Sequence, residues 1–234
     1  MKNRIFMIFL AWAMCISCAT AGVKNTDTSI FSITDDKINT DSIQNGPIRL
    51  QWPDKTLKAV GKVKNGLKSG IWKFYYEGSG GEKILASGSY ANNAKTGEWR
   101  EYYPTGRLYR KIRYHNGKYN GPVVIFYNTG IAHTQIWYKN GVKNGKFQEY
   151  YRDGKPKEIS FFSEGKLHGQ TNLYYPDGRK QAIGSYSNGE KSGMWTIYSR
   201  SGKIKERGNY SKGKRTGTWL LFDENGEKTG EKNY

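Results

Sequence analysis

A short pattern recurs seven times between about residue 60 and the C-terminus, and it decides what this chain can fold into. One glycine marks each copy: Gly70, Gly97, Gly121, Gly145, Gly169, Gly193 and Gly217. The intervals are 27 residues once and 24 residues five times. An aromatic stands five residues after every one of them: Tyr75, Tyr102, Phe126, Tyr150, Tyr174, Tyr198 and Phe222. Seven residues before them stand Val63, Tyr90, Tyr114, Tyr138, Phe162, Tyr186 and Tyr210. A unit this short cannot enclose a core, so each must bury its apolar side chains against its neighbours. The chain is an array, and its chemistry is expected on surfaces rather than in a closed pocket.

Each copy carries two turn signals. Asn65-Gly66, Asn116-Gly117, Asn140-Gly141 and Asn188-Gly189 suit two-residue hairpin turns that need positive φ, with Glu164-Gly165 and Lys212-Gly213 as variants. Pro104-Thr105-Gly106, Arg152-Asp153-Gly154, Pro176-Asp177-Gly178 and Glu224-Asn225-Gly226 suit type I turns closed by a left-handed glycine. Two turns per copy mean two strands per copy. The predicted fold is all-β, an elongated single-layer antiparallel β-meander of about seven hairpin repeats. The expected register sets Tyr90 opposite Trp99, Tyr186 opposite Trp195 and Tyr210 opposite Trp219 as cross-strand aromatic pairs. It also sets Gly61 opposite Phe74, Gly184 opposite Ile197 and Gly208 opposite Leu221. The run Gly78-Ser79-Gly80-Gly81 falls in the long interval and reads as a longer hairpin turn rather than a phosphate loop, since no Lys-Ser/Thr or helix follows it.

The first 21 residues have a different character. Lys2 and Arg4 precede an apolar run from Ile5 to Ile16, too short to span a bilayer, as in a secretory signal. Two endings compete. Ile16-Ser17-Cys18 is similar to a bacterial lipobox, which implies lipid on Cys18, although Cys15 stands where that motif usually has Leu. Ala19-Thr20-Ala21 is a small-x-small cleavage site. Lipidation is the preferred reading because it gives Cys18 a role. The absence of Asp after Cys18 implies, by resemblance to lipoproteins, an outer-membrane destination. The organisation read from the sequence is a signal peptide over 1–18, a flexible tether over 19–47, a candidate capping strand over 48–57 and the array over 58–234. Cys15 and Cys18 are the only cysteines, so neither disulfides nor a four-cysteine metal site can support the array.

The net charge is +18, from 38 basic and 20 acidic residues. Such charge favours anionic partners, but also simply keeps a sheet soluble. Lys64, Lys68, Lys95, Lys118, Lys143, Lys166, Lys191, Lys214 and Arg215 flank the Asn-Gly turns. Arg107, Lys155, Arg179 and Lys203 follow the glycine of the other turn, so both long edges are expected to be positive.

Tyr138-Lys-Asn-Gly-Val-Lys-Asn-Gly145 with Tyr150-Tyr-Arg-Asp-Gly154, and Tyr186-Ser-Asn-Gly-Glu-Lys-Ser-Gly-Met-Trp195, resemble MORN repeats in their longer bacterial form. The resemblance covers about residues 58–230. It implies an elongated twisted sheet used in protein–protein contacts, scaffolding or lipid binding, and many bacterial members are antitoxin or immunity components. The chain departs from the pattern at Asn92-Asn93, at Pro122-Val-Val, where the Trp is lost, and at Ser199, which replaces a second Tyr.

Catalytic patterns are sparse. His115, His133 and His168 occupy three different repeat positions, with no metal-ligand spacing. Glu101 and Glu149 share a position two repeats apart, too distant to work as a pair. The expectation is a non-enzymatic envelope module that binds or scaffolds proteins and uses no cofactor. Its candidate surface comprises Trp72, Trp99, Trp195 and Trp219 with Tyr90, Tyr186, Tyr210, Tyr102, Tyr150 and Tyr174. The alternatives are an immunity protein capping a toxin, and a binder of anionic lipid or glycan in the envelope. Nucleic acid is not expected, because an exported chain rarely meets it.

Overall fold

The structure, a computed structural model, describes residues 44–234. The expected signal segment with Cys15 and Cys18, and residues 19–43 of the expected tether, lie outside the described residues. Residues 45–47, the end of that tether, are already part of the first strand, which runs Asn45–Gln51 rather than 48–57. The described chain forms seventeen strands and, among these residues, no helix. They are β1 Asn45–Gln51, β2 Leu57–Lys64, β3 Leu67–Tyr75, β4 Ile84–Ala91, β5 Ala94–Tyr102, β6 Leu108–His115, β7 Lys118–Phe126, β8 Ala132–Lys139 and β9 Val142–Tyr150. β10 Pro156–Ser163, β11 Lys166–Leu167, β12 Gly169–Tyr174, β13 Lys180–Ser187, β14 Glu190–Tyr198, β15 Ile204–Ser211, β16 Lys214–Phe222 and β17 Lys228–Asn233 complete the sheet. Each strand pairs antiparallel with the next, and β11 and β12 share one position beside β10. The result is one open antiparallel meander, as the doubled turn signal predicts.

The turns carry the expected chemistry. Asn116 and Gly117 both have positive φ, at 48° and 74°, as a type I′ turn requires. Asn92 and Asn93 hold the same conformation without a glycine, at 49° and 66°. At the other end of the strands, Gly106 N–H donates to Tyr103 O, and Tyr103 N–H donates to Arg107 O. Gly78-Ser79-Gly80-Gly81 lies within the β3–β4 hairpin turn, where Ser79 Oγ donates to Tyr76 O at 2.7 Å.

The register differs from expectation by four residues beside the turn and by two beyond the bulge that follows it. Tyr90 lies opposite Lys95, not Trp99, because the two-residue turn fixes the pairing beside it. The strand then bulges: Ser89 pairs with Thr96, but Ser87 pairs with Arg100. Two extra residues of β5 are absorbed at Gly97, which needs its positive φ of 67° for this and has open space where a Cβ would stand. The same correction applies along the array. Tyr186 opposes Lys191 and Tyr210 opposes Arg215. Ala59 opposes Phe74, Ala182 opposes Ile197 and Glu206 opposes Leu221. A shift of two or four keeps every side chain on its face, so the aromatic contacts survive as diagonals. Tyr90 meets Trp99 edge-on at 4.9 Å, and Tyr210 meets Trp219 at 5.1 Å.

The glycines thought to face Phe74, Ile197 and Leu221 instead lie beneath the indoles. A Cβ on Gly61, Gly88, Gly184 or Gly208 would fall 2.1, 2.2, 2.2 or 2.4 Å from Trp72, Trp99, Trp195 or Trp219. These glycines are required for space, and the bulge glycines for backbone conformation. Each indole N–H also donates to a backbone carbonyl ten residues earlier, as Trp99 does to Ser89 O at 3.0 Å.

A candidate binding surface

The side chains divide between two faces by strand alternation. The inner face holds Trp72, Trp99, Trp195 and Trp219, none more than 1% exposed. This corrects the expectation that these rings form a docking face: a ring without accessible surface touches no partner. Tyr90 is buried with them, whereas Tyr186, Tyr210, Tyr102, Tyr150 and Tyr174 are half-buried. Tyr102, Tyr150 and Tyr174 serve the stacking of repeats through their backbone. The hydroxyls of Tyr76, Tyr127 and Tyr151 donate to their carbonyls at 2.7, 2.8 and 2.7 Å. Tyr103 and Tyr175 continue the series onto Phe126 O and Tyr198 O. Where Ser199 replaces the tyrosine, the series ends, and its hydroxyl turns to Ser201 and Lys203 O.

Much of the positive charge is also engaged. Lys68 lies 4.5 Å from the Tyr90 ring centre and is buried. Lys95 covers Trp99 and Tyr114, Lys191 covers Trp195 and Tyr210, and Arg215 covers Trp219 at 4.0 Å. Burial and the nearby Arg215 charge lower the Lys191 pKa. A cation occupies the place two residues before the bulge glycine only when an aromatic follows two residues after it. Lys68 goes with Trp72, Lys95 with Trp99, Lys143 with Phe147, Lys191 with Trp195 and Arg215 with Trp219, whereas Tyr119 goes with Val123 and Leu167 with Thr171. Lys95, Lys191 and Arg215 stack on that same aromatic, whereas Lys68 and Lys143 stack on Tyr90 and Phe162 of the next strand, so the covariation marks cation–π packing that the charge count alone hides. On the opposite edge, Arg107, Lys155, Arg179 and Lys203 donate to backbone carbonyls of the following turn.

The central repeats are built differently. Where Gly faces Trp elsewhere, Ile112 faces Val123, Ile136 faces Phe147, and Ser160 hydrogen-bonds Thr171. The inner face is more polar here, beginning on the last strand of the preceding repeat. Glu101, with 1% exposure, pairs with Arg110 at 2.6 Å. Glu149 has Lys157 Nζ at 2.8 Å and His133 Nε2 at 3.6 Å, so His133 on β8 belongs to this cluster. His133 beside it, with the ammonium of Lys157, holds the Glu149 carboxyl below its usual range. Glu158 lies directly opposite Glu149, a carboxylate pair that sequence reasoning missed. Burial pushes Glu158 up, against a hydrogen bond from Ser160 Oγ at 2.6 Å. Both carboxylates thus have partners within the sheet.

The outer face of the same repeats carries the exposed rings. Trp137 and Phe161 are each 41% exposed, and both occupy the position eight residues before the bulge glycine. The other repeats place Lys62, Ser89, Arg113, Ser185 and Asn209 there. Ile71 and Met194 are exposed on the outer face of the flanking repeats.

Residues 95–116, 143–164 and 191–212 match the MORN repeat variant. Each matched segment begins at a lysine stacked on a ring: Lys95, Lys143 or Lys191. The copies between them have Tyr119 and Leu167 at that place. MORN repeats are commonly used for binding and scaffolding, which fits a sheet whose packing leaves an outer face open. No curated protein matches the chain.

Proposed function

We propose that this chain is a non-enzymatic, envelope-anchored repeat module that binds and positions a partner protein. The observation that carries the reading is the outer face, where Ile71, Trp137, Phe161 and Met194 stand exposed although the sheet packs its aromatics on the other side. Exposed apolar side chains spread over a rigid surface suit a protein interface more than a small-molecule site. The tyrosine hydroxyls and stacked cations that couple repeat to repeat favour a stiff scaffold. The envelope address rests on the charged and apolar start of the chain and on Cys18.

The test is photo-crosslinking in intact cells from Ile71 or Met194, with mass spectrometry of the adducts. The expected result is one recurrent protein from both outer positions and none from the buried Ala182. Absence of any protein adduct from the outer positions overturns the reading. Cys18→Ala is expected to release the chain from the membrane fraction. Retention of that variant after cleavage behind Ala21 contradicts the lipid anchor.

A further inference from the structure

We infer that the outer face of the central repeats is a subsite for an extended acidic polysaccharide, with Trp137 and Phe161 as stacking platforms. This goes beyond the protein-binding reading and does not depend on it. Three observations meet here.

The first is placement. Trp137 on β8 pairs across the ladder with Pro122, and Phe161 on β10 pairs with Lys146 on β9. The two rings stand two strands apart, about 10 Å at the usual strand spacing. That matches the length over which alternate sugars of an extended β-linked glycan turn the same way. A glycan lying across the strands can therefore present a C–H face to each ring in turn. The second is the absence of a packing reason. Five other repeats put polar side chains at this position and close their hairpins equally well, so the sheet does not need these aromatics.

The third is the chemistry of the surround. Gln135 and Gln148 pair across β8 and β9, on the same face and two residues along from Trp137 and Lys146. Amides beside aromatic platforms supply donors and acceptors for sugar hydroxyls. Lys146 lies on the strand between the two rings, and exposed Arg113 precedes Trp137 in the series. These cations call for an anionic chain with carboxylates on alternate sugars, in keeping with the +18 charge.

Trp137 is the most exposed tryptophan among the described residues, with Trp52 half-buried, so the part of an emission shift that Trp137→Phe removes reports on this ring. The full chain would be titrated with soluble hyaluronan and with neutral dextran while tryptophan emission is recorded. It would also be co-sedimented with purified peptidoglycan, whose carboxylates are carried by stem peptides on alternate sugars. The expected result is a saturable emission shift with hyaluronan, co-sedimentation with peptidoglycan, and neither effect with dextran. A response to only one of the two acidic glycans identifies the source and still supports the subsite. Trp137→Ala with Phe161→Ala should weaken binding about tenfold or more, with circular dichroism and Tm unchanged. Lys146→Gln should weaken binding while leaving the emission shift at saturation. Equal binding by the double variant overturns the inference, since the basic edges alone would then hold the glycan. So does failure to bind either acidic glycan, or a dextran response as strong as theirs. Protein adducts from Ile71 and Met194 test the protein-binding reading separately, so the two can fail independently.

Discussion

The outer repeats and the central repeats share a backbone plan but fill it in opposite ways. Around Gly70, Gly97, Gly193 and Gly217, a bare glycine lies under a buried tryptophan, and a lysine or arginine closes the packing. Around Gly121, Gly145 and Gly169, the glycine becomes Ile112, Ile136 or Ser160, and the tryptophan becomes Val123, Phe147 or Thr171. Volume lost on one strand is regained on its neighbour, as close-packed interiors require. The centre also moves two aromatics, Trp137 and Phe161, to the outer face. The difference teaches that aromatic rows in a one-layer sheet serve packing first, and that a binding surface is sought where the pattern is broken.

The sharpest way to break this comparison is to place valine at the same position in both classes. Gly208→Val drives a side chain into the Trp219 indole, where even a Cβ would lie 2.4 Å away. It should cost about 3 kcal/mol, a fall of roughly 6–12 °C in Tm. Ile136→Val, at the equivalent central site, removes one methylene and should cost about 1 kcal/mol. Calorimetry showing equal losses would end the distinction between the two classes.

A tyrosine rung should be alike in both classes. Tyr127→Phe removes the hydrogen bond to Tyr150 O and should cost about 1 kcal/mol by denaturant titration. Tyr76→Phe, in the outer class, should cost the same amount.

A smaller effect probes the polar centre. Burial raises the Glu158 pKa, so its ionised form destabilises the fold. The folded state binds the proton more tightly than the unfolded chain, and stability falls as pH rises through the range above the usual carboxylate value. Glu158→Gln should therefore raise Tm at neutral pH, and the gain should vanish as pH drops below about 4. Glu149, held low by His133 and Lys157, has the opposite sign, and its contribution is lost as pH falls. A gain from Glu158→Gln that persists at acid pH would contradict the assignment.

Much of this was legible in the residues. Period and paired turn signals specify the meander, because Asn-Gly and X-Asp-Gly dictate turn geometry locally. The register departs from expectation because a bulge absorbs two residues without leaving a turn-like signature, so the pairing at the turn and the pairing beyond it do not share one register. The repeat glycines were read as markers, whereas Gly97 and its equivalents are the bulges themselves. The burial of Trp72, Trp99, Trp195 and Trp219 was missed for a related reason. With the register displaced, the glycine beneath each indole could not be recognised. Lys68 and Lys95 flank the turns, where positive edges are expected, yet their ammonium groups lie over rings. Trp137 and Phe161 were in plain view as departures from the repeat, but only the two faces show that they point outward.

The central claim is that glycine–tryptophan and its bulkier-and-smaller substitute are two solutions of one packing problem. A double-mutant cycle with Gly208→Ile and Trp219→Val measures this directly. The first alone overpacks, the second alone leaves a cavity, and together they recreate the Ile112–Val123 pair of the centre. The predicted result is a double variant more stable than the sum of the single losses, by about 2 kcal/mol or more. Additive losses would contradict the account, for they would show that the two residues do not share one volume.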